Sequence, residues 1–178
     1  MLEIKFQGRG GQGVVVASEL LGRACFEEGL YPQCFSVFGG ERRGAPVAAF
    51  VRVSDRKIAL KCDIDKADHL VLFDPAMVGS AHIAEQVVSD GVVLFNGSRI
   101  RDPESLQGIK TGVIDGFEIA KKNGLGSIVN TAVLGAYVGL SGIVSLKTLL
   151  AVIAENIPSA VEANLRAAKQ AFDQVSTG

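Results

Sequence analysis

Residues Leu2 to Gln7 alternate apolar and polar side chains, and the cluster Gly8-Arg9-Gly10-Gly11-Gln12-Gly13 follows at once, ahead of the apolar stretch that begins at Val14. Alternation with a period of two reads as a strand. A glycine cluster that joins a strand directly to a helix restricts the chain to few architectures, because the turn must be sharp and the helix must pack back on the sheet. Val14 to Glu28 reads as that helix, with Leu20, Leu21, Ala24 and Cys25 on its inner side and Gly29 as its stop. Tyr31 to Val37 reads as the next strand. The unit is strand, turn, helix, strand, with residues 2–7 and 31–37 expected as parallel neighbours of an open sheet.

The rest of the chain continues the pattern. Phe38 to Pro46 is a glycine-rich charged loop, Val47 to Val53 a strong strand, and Arg56 to Lys61 a short strand paired with it. His69 to Phe73 is a buried strand that ends at Asp74-Pro75, where a helix begins and runs to about Ser89. Asp90-Gly91 turns the chain into a strand over Val92 to Phe95. Residues 96–107 form a loop with a helical fragment, Ile109 to Ile114 the last strand, and Asp115 the cap of a short helix to Lys122. Three helices follow, at about 128–140, 145–156 and 159–175, and Ser159 with Glu162 forms a capping box for the last. The expected fold is a single domain over 1–178: a three-layer α/β/α, Rossmann-like arrangement with a mostly parallel sheet and a helical C-terminal third.

Taken literally, Gly8, Gly10 and Gly13 fit the dinucleotide fingerprint G-x-G-x-x-G. Binding of NAD needs in addition an acid at the end of the second strand to hold the ribose hydroxyls. That region reads Gln33-Cys34-Phe35-Ser36 and has none. The turn still leaves the first N–H groups of a helix free to face an anion. The second unusual loop, Gly39-Gly40-Glu41-Arg42-Arg43-Gly44-Ala45-Pro46, sets two arginines beside a glutamate, a composition suited to an anion or a fixed ion pair. Both loops leave the carboxyl ends of strands, so they are expected to meet at one sheet edge, with Glu41 fixing Arg43.

Other chemistry is sparse. His69 opens a buried strand and His82 lies in a helix, and both read as structural. The chain has no nucleophile elbow, Walker lysine or H-E-x-x-H, so it offers no catalytic residue and no metal-ligand set. Cys25, Cys34 and Cys62 are odd in number and widely spaced, which suits reduced thiols in the cytoplasm and neither a zinc site nor an iron–sulfur cluster. No secretory leader is evident. A net charge of −1 gives no case for nucleic acid or an anionic membrane.

Residues Gly124 to Leu146 carry no charge, and Gly135 and Gly139 form G-x-x-x-G. The helical pattern there spans only about 20 Å at ~1.5 Å per residue, short of a ~30 Å hydrocarbon core, so it reads as a buried helix. Apolar residues make up 48% of the chain before its 21 glycines are added, against roughly 45–50% for an average domain with glycine included. Part of that surplus is expected at a subunit interface, along the small-residue face of 128–140, with a homo-dimer as one outcome.

The stretches "GRGGQGVVVASELLGRA", "SVFGGERRGAPVAAFVRVSD", "ADHLVLFD" and "VNTAVLGAYVGL" together resemble the gamma subunit of 2-oxoacid:ferredoxin oxidoreductases of the pyruvate/ketoisovalerate type, over nearly the whole chain. The resemblance implies a complex that oxidatively decarboxylates a 2-oxoacid on thiamine diphosphate with Mg²⁺, passes electrons through iron–sulfur clusters to ferredoxin and releases an acyl-CoA. This chain would hold none of the redox cofactors. It would assemble with alpha, beta and ferredoxin-like delta subunits and be inactive alone. Gly8, Arg9, Gly10, Gly11, Gln12, Gly13, Glu41, Arg42, Arg43 and Gly44 would face coenzyme A or the thiamine site. The family loop commonly reads Arg-Gly-Gly, whereas Arg43-Gly44 is followed here by Ala45, a strained position if it needs a positive φ. A stand-alone nucleotide-binding module of the same fold is the competing reading.

Overall fold

The computed structural model describes residues 1–38, 44–74, 76, 80–100 and 103–177. Its elements are β1 (Leu2–Arg9), α1 (Val14–Glu27), β2 (Tyr31–Phe38), β3 (Pro46–Ser54), β4 (Ala67–Leu72), α2 (Ser80–Gln86), β5 (Val87–Asn96), β6 (Lys110–Ile114), α3 (Gly116–Lys122), α4 (Asn130–Ser141), α5 (Leu146–Asn156), α6 (Val161–Gln174) and β7 (Ser176–Thr177). A 3-10 helix at Pro103–Leu106 precedes β6. One mixed sheet runs in the order β2-β3-β1-β4-β5-β6-β7.

β1 and β2 point the same way but are not neighbours. The short loop after β2 returns the chain as β3, which pairs antiparallel with β2 on one side and with β1 on the other. Short connections keep consecutive strands adjacent, so the hairpin takes the place expected for a parallel pair. A central place also suits β3, which is buried from Val47 through Val53 except at Ala48. From β1 the sheet continues in parallel through β4, β5 and β6.

One face of the sheet presents Ile4, Phe6, Val51, Val53, Val71 and Leu94 to α1, α4, α5 and α6. The opposite layer is thinner. There Leu70, Leu72, Val93 and Phe95 pack with Ile83 of α2 and Leu106, and Phe50 packs with Ile64 and Ala67. The layers are α/β/α, as the pattern implied.

α4 is buried from Asn130 to Val138 and again at Leu140. A helix apolar on every side belongs in a core, and the surplus of apolar residues is absorbed there rather than on the face expected to be exposed. Gly135 and Gly139 lie directly against the backbone of α6, at Ala168 and Phe172. Among the described residues no helix is long and apolar enough to cross a membrane.

Four local expectations fail. Arg56 to Lys61 forms no strand. The helix expected to reach Ser89 ends at Gln86, because Val87 already pairs with Ala67; the pairing then jumps to His69–Val92, so Asp90-Gly91 lies within an irregular β5. The Ser159/Glu162 capping box does not form: Ala160 occupies the cap of α6 with φ 50° and no side chain bonds the first turn. Finally β7, antiparallel to β6, follows the helices, so 109–114 is not the last strand.

Candidate functional site

The glycine turn lies at the carboxyl edge of β1, and its glycines have separate tasks. Gly11 and Gly13 take φ of 99° and 79°, the left-handed region that a Cβ penalises. Gly8 is needed for space: a Cβ there would stand 2.7 Å from both Gln12 Oε1 and Phe73 Cβ. Gly10 joins the turn to the hairpin, its N–H donating to Ala45 O at 2.9 Å and its carbonyl accepting from Gly44 N–H at 3.2 Å. The end of the arginine loop therefore sits on the glycine turn, although the reason is the inserted β3 and not a parallel β1–β2 pair. Gly44 takes the positive φ, 84°, and Ala45 does not, so the change from the family's glycine causes no strain. Glu41, Arg42 and Arg43, and the ion pair expected between them, lie outside the described residues.

Gln12 and Arg9 are engaged within the turn. Gln12 Oε1 accepts the Arg9 N–H at 2.7 Å. The Arg9 guanidinium donates through Nε to Asp74 Oδ2 at 2.6 Å and through Nη1 to Gly44 O at 3.4 Å. Asp74 also accepts the Ala76 N–H at 3.1 Å. Arg9 thus ties the turn to the hairpin and to the end of β4, and Asp74 offsets part of its charge. The sequence reading gave Asp74 only the role of a helix start. Its sole signal was its place at the end of the buried run "HLVLF".

Beside the turn opens a cleft of about 570 Å³. One wall is the start of α1, at Gly13 and Val14. The other is built from 124–130, leading into α4, and 157–160, leading into α6; sequence reasoning placed 128–130 and 159–160 in helices and gave neither segment a part in a site. The lining is mainly apolar, and Arg9 is the one charged side chain among the described residues that line it. No side chain caps α1, α4 or α6, so their first N–H groups carry partial positive charge.

The remaining candidates lie elsewhere. His69 and Tyr137 share a 2.7 Å hydrogen bond, and burial holds the imidazole below its ordinary pKa. His82 pairs with Glu85 on the surface. Burial pushes the Cys25 thiol up to about 12 and the Cys34 thiol to about 11, so neither is a ready thiolate.

Residues 3–174 match the family model described as pyruvate ferredoxin/flavodoxin oxidoreductase. The pyruvate synthase subunit PorC of Methanothermobacter marburgensis is 40% identical over 176 residues, covering 98% of each chain. The pyruvate/ketoisovalerate oxidoreductases common subunit gamma of Thermococcus kodakarensis is 38% identical over 180 residues, 98% of this chain and 97% of its own. The crystal structure of pyruvate oxidoreductase subunit PORC from Thermotoga maritima superposes with a TM-score of 0.86 at 31% identity, covering 99% of this chain and 98% of that one. These relatives are subunits of oxidoreductases, which favours that reading over a stand-alone nucleotide module. The chain belongs to the pyruvate ferredoxin/flavodoxin oxidoreductase family and is a subunit of a 2-oxoacid:ferredoxin oxidoreductase.

Proposed function

We propose that this chain is the non-redox, gamma-type subunit of its complex, and that its glycine turn and arginine loop form the edge that meets coenzyme A. The observation that supports this is the bonding of Gly10 to Gly44 and Ala45, which brings the end of the arginine loop to the mouth of the cleft. Coenzyme A, when bound, supplies the thiol that accepts the acyl group. Backbone N–H donors at the start of α1 suit its phosphates, and Arg43 of the loop would add a guanidinium to them. One domain over 1–178 carries both.

Thiamine diphosphate with Mg²⁺ and the iron–sulfur clusters are assigned to the alpha, beta and ferredoxin-like delta subunits. A cubane cluster takes four thiolates, and this chain has three cysteines in all. Ferredoxin would be met through the complex, in the cytoplasm. The choice of 2-oxoacid would rest with the thiamine-binding chains.

The test is Arg43→Ala in the assembled complex. A charge-assisted arginine contact is worth about 1.5–3 kcal/mol, so KM for coenzyme A should rise roughly 10- to 100-fold. The melting temperature of the subunit and KM for the 2-oxoacid should be unchanged. Normal assembly with normal coenzyme A kinetics would contradict the proposal.

A further inference from the structure

The two edges of the sheet are finished differently. β7 closes one edge with two residues, Ser176–Thr177, and so short an edge leaves little to pair with. β2 closes the other with eight residues, Tyr31–Phe38, and among the described residues it pairs only with β3. Alternate residues of such a strand turn their N–H and C=O groups outward, away from the sheet. Edge strands are ordinarily protected by charged side chains, bulges or a covering element. The sequence YPQCFSVF carries no charge, and its register with β3 is unbroken from Tyr31 to Phe38. Only Pro32, near its start, works against a further strand.

Apolar surface is left open around the same strand. Of eight large apolar side chains exposed among the described residues, four border β2: Tyr31 and Val37 within it, Phe26 at the end of α1, and Leu60, whose carbonyl accepts Gln33 Nε2 at 2.9 Å. Scattered singly such residues need no explanation, but gathered at an open edge they mark a contact surface. The register places Gln33, Phe35 and Val37 on one face, where Phe35 stacks on Phe50 with ring centroids 4.9 Å apart. On the other face Cys34 turns toward α1, its Sγ donating to Ser18 O at 3.6 Å. A groove of about 700 Å³ lies there between β2, α1 and α5. Glu19, Glu27 and Glu155 line it against a single cation, Arg23, and none of the four enters an ion pair among the described residues.

We infer that β2 receives an extended segment of another subunit of the complex as an added strand, apolar on the side that meets Tyr31 and Val37 and basic on the side that meets the groove. Main-chain hydrogen bonds to the outward groups of β2 hold it, and its alternate side chains decide which segment fits. Charge selects this occupant over a second copy of the chain. A two-fold pair of β2 strands sets the groove of each copy beside its own image. Three carboxylates then face three, a like-charge contact that costs affinity. A strand with lysine or arginine at alternate positions brings opposite charges there instead. The groove shares no lining residue with the cleft at the glycine turn, and the inference does not depend on the coenzyme A reading.

The test begins with amide hydrogen exchange over residues 31–37 in the full chain alone and in the assembled complex. The outward amides should exchange about 10-fold or more slowly once the complex has formed. Two variants then read association. Tyr31→Lys sets on the edge the kind of charge with which natural sheets refuse a further strand. Glu155→Lys reverses a groove charge in the last turn of α5, where lysine suits a helix end. Each should raise the dissociation constant of this chain from its complex about 10-fold or more, with the melting temperature of the chain unchanged, and the effect of Glu155→Lys should shrink in high salt. Finally, the photo-reactive p-benzoylphenylalanine in place of Val37 should cross-link, in the purified complex, to a segment of another subunit that carries lysine or arginine at alternate positions. If Tyr31→Lys lowers the melting temperature, Glu155→Lys and the exchange data decide. Equal exchange over 31–37 in the two states would overturn the inference. So would a cross-link between two copies of this chain, which would mean self-pairing. Normal association of Glu155→Lys would overturn the basic character assigned to the added strand.

Discussion

α4 is a helix with two unlike ends. At its C-terminal half, Tyr137 is bonded to His69 and the Leu140 carbonyl to Lys110, so its position against the sheet is fixed by polar contacts as well as by burial. At its start the N-cap residue offers no side-chain cap, Asn130 Oδ1 takes the Thr131 N–H, and the end borders a cleft. Fold stability alone would favour a cap at both ends. Unequal treatment within one buried helix separates the end that the fold anchors from the end that borders the cleft of the proposed coenzyme A edge.

The largest effect should come from breaking the contact that sets α4 and α6 side by side. In Gly135→Ala the new methyl meets the backbone of Ala168, which cannot move aside without shifting α6. A loss of about 3 kcal/mol is expected, visible in the denaturation midpoint of the subunit, and KM for coenzyme A should rise with it. Gly13→Ala is the next in size. Its φ of 79° and the nearby Asn130 side chain combine backbone strain with crowding, for about 2 kcal/mol. Stability and coenzyme A binding should fall together there too, since both walls of the cleft move.

Ser145→Ala sharpens the contrast from the capped side. It removes the acceptor of the Thr148 N–H and should cost about 1 kcal/mol, with coenzyme A kinetics unchanged. The smallest effect is the response of the anchored end to pH. Burial is the main cause that lowers the pKa of His69, with Lys110 adding to it and Asp68 opposing. In the unfolded chain the imidazole takes a proton near pH ~6.5, and in the folded chain only at lower pH. Between the two values the unfolded state binds more protons, so stability falls as the pH drops below about 6.5 and levels off beneath the folded pKa. Denaturation midpoints at pH 7.5 and 5.5 should differ in the wild type, and His69→Gln should narrow the gap.

Much of this was legible in the sequence and some was not, for physical reasons. Alternation at Leu2 to Gln7 and the glycines after it marked β1 and the start of α1, because period and turn chemistry are local. The uncharged run near 128–140 marked a buried helix for the same reason. Strand order was misread, since nothing local reports that β3 enters between β1 and β2. The surplus of apolar residues was likewise assigned to a surface, when α6 covers α4. Ser159 and Glu162 had the spacing of a capping box, but the cap falls at Ala160. The second wall of the cleft escaped notice because segments 124–130 and 157–160 meet only after α4 and α6 pack. Asp74 became the partner of Arg9 only when β4 came to lie beside β1.

The most direct test is hydrogen–deuterium exchange of the assembled complex with and without coenzyme A. Slower exchange is expected at 10–16, the glycine turn and the start of α1, with no change at 145–148, where α5 is already capped. Protection confined to the partner subunits, or spread equally over 10–16 and 145–148, would contradict the claim that the edge at the glycine turn is the side of this chain that meets coenzyme A.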